Sequence, residues 1–280
     1  MAIDPRDKQA NFDKMADYVK KAADQDVDLI LFPEMALSGY GTAGMQQYSA
    51  EDKFFFIECS ELVPEGDTTQ KMIDLAKQHG IYICWGMPEK DADRTAVTYN
   101  CVVLVGPEGF VGKYRKTHQP LCERLELFPG KGDYQVFDTS IGKIGLEICF
   151  DMCFPEVARS LAIQGADIIL SPICWPNMSG SLDDPDHHAH LSFSRARAWE
   201  NMIFFVDSTY SGEAMSGYAQ IIGPNAGQVM AISGFDEEMV VAEFDLEKEI
   251  AHARTVTMGG SDLLKDRKPW TYGLLTESDR

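Results

Sequence analysis

The sequence of 280 residues lacks any apolar stretch near the roughly 20 residues that a membrane-spanning helix needs. It also lacks an excess of basic residues. The formal net charge is −19, which argues against nucleic acid or an anionic membrane as a partner. Residues 1–7 are polar and contain no signal-peptide core, so we expect a cytoplasmic protein. An acidic balance is common among soluble proteins, so the charge does not identify a substrate.

Patterns typical of disulfide frameworks and metal sites are also missing. The seven cysteines include no Cys-x-x-Cys pair, which favours reduced, intracellular thiols. The segment 183–190, Asp-Asp-Pro-Asp-His-His-Ala-His, is rich in metal-binding side chains. Its spacing fits no usual ligand pattern, and a helix start capped by aspartate explains it better. We therefore predict no metal and no cofactor.

Helical and strand patterns alternate along most of the chain, and 45% of the residues are hydrophobic. Such alternation, mixed with hairpin signals, predicts an α/β sandwich with helices outside mixed sheets. We expect one domain over 1–280, with a C-terminal tail from about residue 251. The predicted helices are 12–23, 69–79, 155–164 and 188–201. The predicted strands are 27–32, 81–85, 99–105, 110–114, 143–148, 167–170, 203–207, 219–222, 228–232 and 239–244.

Cys149 stands out because it ends an apolar run and precedes an acidic turn that Pro155 interrupts. A thiol at a strand-to-helix corner is presented outward, and its thiolate is a strong nucleophile. A single cysteine is nevertheless more often a small buried hydrophobe than a nucleophile. Cys153 is the local competitor, although its place just before Phe154-Pro155 favours a packing role.

Two other sites carry charged groups that would activate such a thiol. Glu34 ends an apolar strand in Phe32-Pro33-Glu34, where burial would raise its pKa and suit a general base. Lys116, in Tyr114-Arg115-Lys116, would stabilise a thiolate and later a tetrahedral oxyanion. Taken singly, Glu34 also fits a carboxylate at a strand rim, and Lys116 fits a basic surface turn.

Taken in order, these three motifs resemble the signatures of the carbon–nitrogen hydrolases of the nitrilase superfamily. The three matches are Phe32-Pro33-Glu34, Tyr114-Arg115-Lys116-Thr117-His118, and Cys149 through Glu156 to Arg159. The resemblance extends from about residue 10 to residue 245. It implies a four-layer αββα sandwich of mixed sheets with outer helices.

The resemblance also implies roles for particular residues. Glu34 would be the general base, Lys116 the oxyanion stabiliser and Cys149 the nucleophile. Glu123 matches a fourth family glutamate, with Glu126 as the second candidate. The backbone N–H of Phe150 would be the second oxyanion donor. A Cys–His pair that uses His118 is the rival chemistry.

Three aromatic residues complete the predicted site. Tyr40, Phe150 and Trp175 are candidate substrate-binding residues, although Tyr40 and Trp175 are also consistent with ordinary core aromatics. Specificity is expected to lie in the loops 37–47 and 173–186. Residues 1–9 are polar and lack the family's usual first strand, so we expect the edge of one sheet to depart from the family pattern. Tails such as residues 251–280 commonly cross a dimer in this family, so we expect a homodimer or a higher homo-oligomer.

The expected reaction is cysteine-dependent hydrolysis of a small amide or N-carbamoyl amine, through a thioester and with release of ammonia. A nitrilase is the alternative within the class. However, nitrilases usually carry Cys-Trp-Glu where this chain has Cys149-Phe150-Asp151, which favours amides. A catalytically silent interaction module on the same fold is the alternative from another class.

Overall fold

The fold is an α/β arrangement of two sheets with helices, seen in a computed structural model that describes residues 1–40, 48–176, 185–212 and 215–277. The helices are α1 Lys8–Ala23, α2 Ala50–Cys59, α3 Asp67–His79, α4 Glu123–Glu126, α5 Pro155–Ile163, α6 Ala189–Asn201 and α7 Leu246–Thr255. The strands are β1 Leu29–Leu31, β2 Tyr82–Lys90, β3 Thr98–Gly106, β4 Gly109–Arg115, β5 Val136–Thr139, β6 Gly142–Leu146, β7 Ile168–Pro172, β8 Phe204–Ser208, β9 Gln220–Ile222 and β10 Val229–Ile232.

Both sheets are mixed. The first has the order β1-β2-β3-β4, in which β1 runs parallel to β2 and the other pairs are antiparallel. The second has the order β10-β9-β8-β7-β6-β5, with a parallel centre of β6, β7 and β8. The carboxyl ends of parallel strands share one edge, and the connections at that edge carry functional residues in such folds.

The sheets face each other, with β1 against β8 and β2 against β7, and helices cover the outer faces. Helices α1 and α3 pack on the first sheet through an apolar cluster that includes Met15, Met72 and Ile83. Alternation along each strand supplies apolar side chains to both faces, so a second cluster fills the space between the sheets and under α5. This is the predicted αββα arrangement, and the predicted fold class is confirmed.

Most predicted elements are present within a few residues, but the predicted strand 239–244 is wrong. These residues are not a strand in the described structure. Apolar side chains of this segment pack on the core without strand pairing: the ring of Phe244 stacks on Phe204 at a centroid distance of 4.3 Å. A strand needs a hydrogen-bonded neighbour as well as an alternating pattern. Sequence reasoning did not predict α2, α4, α7 or β5.

The outer edge of β1 borders a groove of about 830 Å³. Its walls are β1, residues 238–247 and side chains from the centre of the second sheet, among them Ile168, Leu170 and Val206. The sequence predicts an unusual edge for one sheet, and the groove lies at the edge of the first sheet that β1 forms. In the part of the chain that the structure describes, β1 pairs only with β2.

No helix among the described residues is long and apolar enough to cross a bilayer.

Candidate active site

Glu34 follows β1 after Phe32 and Pro33 and is fully buried. The N–H of Phe32 still donates to Cys84 O at 2.8 Å, so the chain leaves the sheet only at Pro33-Glu34. Strand β2 passes close behind this turn at Gly86, where a Cβ would lie 2.3 Å from Met35 N and 2.8 Å from Glu34 Cα. Glycine at this position therefore lets the carboxylate sit against the sheet.

Lys116 comes one residue after β4 and is also fully buried, which excludes the surface-turn interpretation. Its Nζ donates to Glu34 Oε1 at 2.7 Å and to Glu123 Oε2 at 2.7 Å. Glu123 opens the short helix α4, and Leu127 N closes the turn by donating to Glu123 O at 2.8 Å. The structure thus places one buried ammonium between two buried carboxylates.

Three further donors converge on Glu34. Tyr40 Oη donates to Oε1 at 2.6 Å, and Asn100 Nδ2 donates to the same oxygen at 2.7 Å. The backbone N–H of Cys174 donates to Oε2 at 2.8 Å. With Lys116, this carboxylate accepts four hydrogen bonds, which fix its position and orientation in the site.

Cys149 begins a 3₁₀ turn, Cys149–Cys153, which follows β6 after Glu147 and Ile148. Its φ is +49°, a left-handed conformation that costs a non-glycine residue on the order of 1–2 kcal/mol. Its Sγ lies 3.7 Å from Cys174 O, as in a weak S–H···O hydrogen bond. The Cys174 peptide therefore contacts the thiol through its carbonyl and Glu34 through its N–H.

Burial dominates the electrostatics of the thiol. It raises the pKa of Cys149 well above the ordinary value, and Glu34 raises it further, while Lys116 opposes both. The resting thiol is therefore protonated at neutral pH. The lysine does not suffice to preform a thiolate, so the proton must leave as the substrate is attacked.

Burial and neighbouring charges have opposite net effects on the charges of Lys116 and Glu123. Burial lowers the pKa of Lys116, but Glu123 and Glu34 outweigh that effect, and the net shift is upward, so the lysine is charged. Burial raises the pKa of Glu123 to about 7, with Lys116 opposing and Glu34 reinforcing the shift. Glu123 is consequently the carboxyl that takes up a proton near neutral pH.

Asp151 anchors the turn that carries the thiol and is fully buried. It accepts hydrogen bonds from Tyr114 Oη at 2.9 Å, His118 N at 3.0 Å and Ile148 N at 3.2 Å. His118 Nδ1 lies 2.7 Å from Asp151 Oδ1, and its ring stacks on Phe154 at 3.9 Å. The rival Cys–His interpretation is disfavoured, because His118 Nδ1 faces Asp151.

The four predicted catalytic residues thus lie together: Lys116 contacts Glu34 and Glu123, and the Cys174 peptide connects Glu34 to Cys149. Tyr40 joins this group through its hydrogen bond to Glu34. Glu126 lies elsewhere: its Oε1 accepts from Ser49 N at 3.2 Å, at the start of α2. Phe150 is half-buried and meets Phe154 edge to face at 5.4 Å.

Trp175 follows Cys174, and its ring packs towards His190 and Phe193 on α6. The half-buried Trp175 also packs against the apolar cluster that includes Cys149. Parts of the predicted specificity loops, residues 41–47 and 177–184, lie outside the described residues, including Asp183 and Asp184 of the acidic and histidine-rich segment.

Sequence reasoning missed Asn100, Asp151, the Cys174 peptide and Glu147. Asn100 is a polar residue inside the apolar run 99–105, and that contrast was the available signal. Glu147, two residues before Cys149, is fully buried, and neither carboxyl oxygen has a hydrogen-bond partner in the described structure. Burial and nearby Asp151 raise its pKa to about 8.

Two mixed sheets between helices, with Glu, Lys and Cys converging at strand ends, define a hydrolase-type α/β sandwich. The family model for carbon-nitrogen hydrolases matches residues 1–254, and the chain belongs to this family. It is 34% identical over 268 residues to a nitrilase of Pyrococcus abyssi, covering 94% of this chain and 92% of the relative. It is 29% identical over 257 residues to the human omega-amidase NIT2, covering 86% and 85%.

Solved structures agree on the fold. Saccharomyces cerevisiae Nit3, a member of branch 10 of the nitrilase superfamily, superposes with a TM-score of 0.77 at 26% identity, covering 92% of each chain. An amidase from Nesterenkonia sp. AN1 superposes with a TM-score of 0.74 at 22% identity, covering 96% of this chain and 94% of that one. In that structure, acrylamide has added to the active-site cysteine of the Nesterenkonia enzyme.

Proposed function

We propose that this carbon–nitrogen hydrolase cleaves a small amide or N-carbamoyl amine through a thioester on Cys149, with release of ammonia. The observation that carries the proposal is the buried cluster of Glu34, Lys116 and Glu123, linked through the Cys174 peptide to the Cys149 thiol. Buried ionic clusters are costly, and they concentrate at sites where charge is used in a reaction.

In the acylation step, Sγ of Cys149 attacks the carbonyl carbon while Glu34 takes the thiol proton. The carbonyl π electrons move to oxygen, and the charged Lys116 and the N–H of Phe150 stabilise the oxyanion. Collapse breaks the C–N bond, and Glu34 returns the proton to the nitrogen that leaves as ammonia. A thioester on Cys149 remains.

In the deacylation step, Glu34 accepts a proton from a water molecule whose oxygen attacks the thioester carbonyl. The second tetrahedral intermediate expels the thiolate, which recovers the proton from Glu34, and the carboxylic or carbamic acid departs. Glu123 keeps Lys116 in place through both steps. One base therefore serves twice, as it does in other covalent hydrolases.

Nitrile hydrolysis is the second candidate, since one relative is named a nitrilase. The Cys149-Phe150-Asp151 sequence, in place of Cys-Trp-Glu, favours amides, and so does the similarity to omega-amidases. In nitrile hydrolysis the same thiol would add to the carbon of the C≡N group.

A screen for ammonia release tests the proposal. Amides, ureido acids, N-carbamoyl amines and nitriles are each incubated with the wild type, with Cys149→Ala and with Cys153→Ala as the matched control. We expect activity with at least one amide or carbamoyl compound, which is lost in Cys149→Ala and retained in Cys153→Ala. Mass spectrometry of the acid-quenched enzyme should find the acyl group on the peptide that contains Cys149.

Two results would refute this function. Equal ammonia release by the wild type and Cys149→Ala would exclude the thiol as the nucleophile. Absence of any iodoacetamide-sensitive activity across the panel would instead support a silent interaction module.

A further inference from the structure

Asn100 bridges the two carboxylates of the site. It lies on β3, opposite Pro88 of β2, and is fully buried. Its Nδ2 donates to Glu34 Oε1 at 2.7 Å and to Glu123 Oε1 at 2.8 Å, and it lies 3.0 Å from Tyr40 Oη. The Asn100 backbone also takes part, because its carbonyl accepts from Lys116 N at 2.9 Å.

Asn100 and Lys116 thus occupy equivalent places in a closed ring. Each donates to Glu34 and to Glu123, so the two carboxylates are held from both sides. The lysine contributes charge, whereas the amide contributes two N–H groups in a fixed plane.

The orientation of the amide follows from its neighbours. A reversed amide would direct Oδ1 at two carboxylate groups and remove one donor from each, which is unfavourable in a buried site. In the orientation found, Oδ1 has no hydrogen-bond partner among the described residues. The side chain thus leaves one polar atom unpaired and directs both N–H groups at the carboxylates.

We propose that Asn100 is a positioning residue that holds Glu34 and Glu123 on either side of Lys116 and fixes the orientation of Glu34 as the base. The proposal rests on the function given above. Asn100 acts through Glu34, since it contacts the base and not the sulfur. Its loss should lower kcat much more than it raises KM.

The central experiment replaces Asn100 by leucine, which has nearly the same volume and no donor. We expect kcat to fall by about 10- to 100-fold, the usual effect of removing a hydrogen bond to a buried charged group. The acid limb of the pH profile of kcat/KM should move to higher pH, because the Asn100 hydrogen bond that lowers the pKa of Glu123 is lost. Asn100→Thr retains one hydroxyl donor, so its kcat and the position of its acid limb should lie between those of the wild type and of Asn100→Leu.

Asn11→Leu is the matched control. Asn11 is equally buried, but its side chain bonds backbone groups of Asp4 and Leu37, away from the ionic cluster. This variant should lose thermal stability without moving the acid limb. The comparison separates a change in the base from a general loss of packing.

Alkylation provides a readout that needs no substrate. The rate at which iodoacetamide modifies Cys149, located by peptide mass spectrometry, is measured against pH for all four proteins. The profile of Asn100→Leu should shift in the same direction as its kcat/KM profile. If Asn100→Leu does not fold, Asn100→Thr supplies the comparison.

The outcomes distinguish this proposal from the proposed function. An active wild type whose profiles coincide with those of Asn100→Leu would overturn the role of Asn100 alone. A wild type that releases no ammonia from any compound would overturn the function, and the alkylation profile would still decide the role of Asn100.

Discussion

Glu147 offers a quantitative test of how burial sets the charge state beside the nucleophile. It leaves β6 next to β7, where the ladder pairs Leu146 with Leu170 and Glu147 N donates to Leu170 O at 3.2 Å. Its side chain is fully buried, and burial followed by repulsion from Asp151 raises its pKa from 4.5 to about 8, with Arg197 opposing. The perturbation is Glu147→Gln, which keeps the shape and removes the titration.

The sign of the effect follows from proton binding. Between pH 4.5 and 8 the folded state binds this proton and the unfolded state does not, so the free energy of unfolding falls as the pH rises. A shift of that size corresponds to about 5 kcal/mol at 1.36 kcal/mol for each pKa unit. Dividing this free energy by an unfolding entropy of about 0.6 kcal/mol/K for a chain of this length gives a change in Tm of roughly 8 °C.

Thermal unfolding followed by circular dichroism between pH 5 and pH 9 measures the effect. The Tm values of the wild type and Glu147→Gln should agree within about 2 °C at pH 5, where both side chains are neutral. At pH 9 the variant should melt about 8 °C higher, because the wild type then carries a fully buried carboxylate whose desolvation outweighs the attraction of Arg197. Glu58→Gln, an exposed change of the same charge, is the control and should follow the wild type.

Parallel Tm curves for the wild type and Glu147→Gln would refute the reasoning. They would mean that Glu147 titrates near its ordinary pKa, and hence that water or a rearranged side chain solvates it. A variant that is less stable than the wild type at every pH would show that the carboxylate has a stabilising partner.

Three further predictions concern the site itself. Lys116→Met should lower kcat by more than about 1,000-fold, because it removes the oxyanion charge and leaves two buried carboxylates facing each other; steady-state kinetics with an active amide measures this. Tyr40→Phe removes one of the four donors to Glu34 and should lower kcat about 10-fold with little change in KM. Asp151→Asn should lower Tm by several degrees and slow the alkylation of Cys149, because the turn loses acceptors for Tyr114 and for backbone N–H groups; an unchanged Tm and alkylation rate would contradict this role.

Much of the architecture could be predicted from local patterns. Helix α3 was expected at 69–79 and is found at Asp67–His79, ending at Gly80 in a left-handed conformation. Helix α2 was missed because its apolar residues are not sorted cleanly to one face, as in Phe54-Phe55-Phe56. The failure at 239–244 has a different cause, since pairing depends on which strand lies alongside and an alternating pattern does not specify that.

The candidate site also contains residues that local sequence predicts and residues that it does not. Glu34, Lys116 and Cys149 were predicted because their neighbours in sequence form recognisable motifs. Asn100 and the Cys174 peptide have no such motif. They enter the site only because the start of β3 and the segment after β7 lie against Glu34.

The sequence by itself determined which chemical groups are available: a thiol at a strand end, a carboxylate after another strand and a lysine after a hairpin. Only the tertiary structure decided their charge states. The sequence predicted that Lys116 would lower the pKa of the thiol, whereas in the folded protein burial outweighs the lysine and raises that pKa. The physical reason is that desolvation and Coulomb interactions depend on distances in space. Residues 34, 100 and 116 come together within the first sheet, and they meet residues 149 and 174 only when the second sheet packs against it.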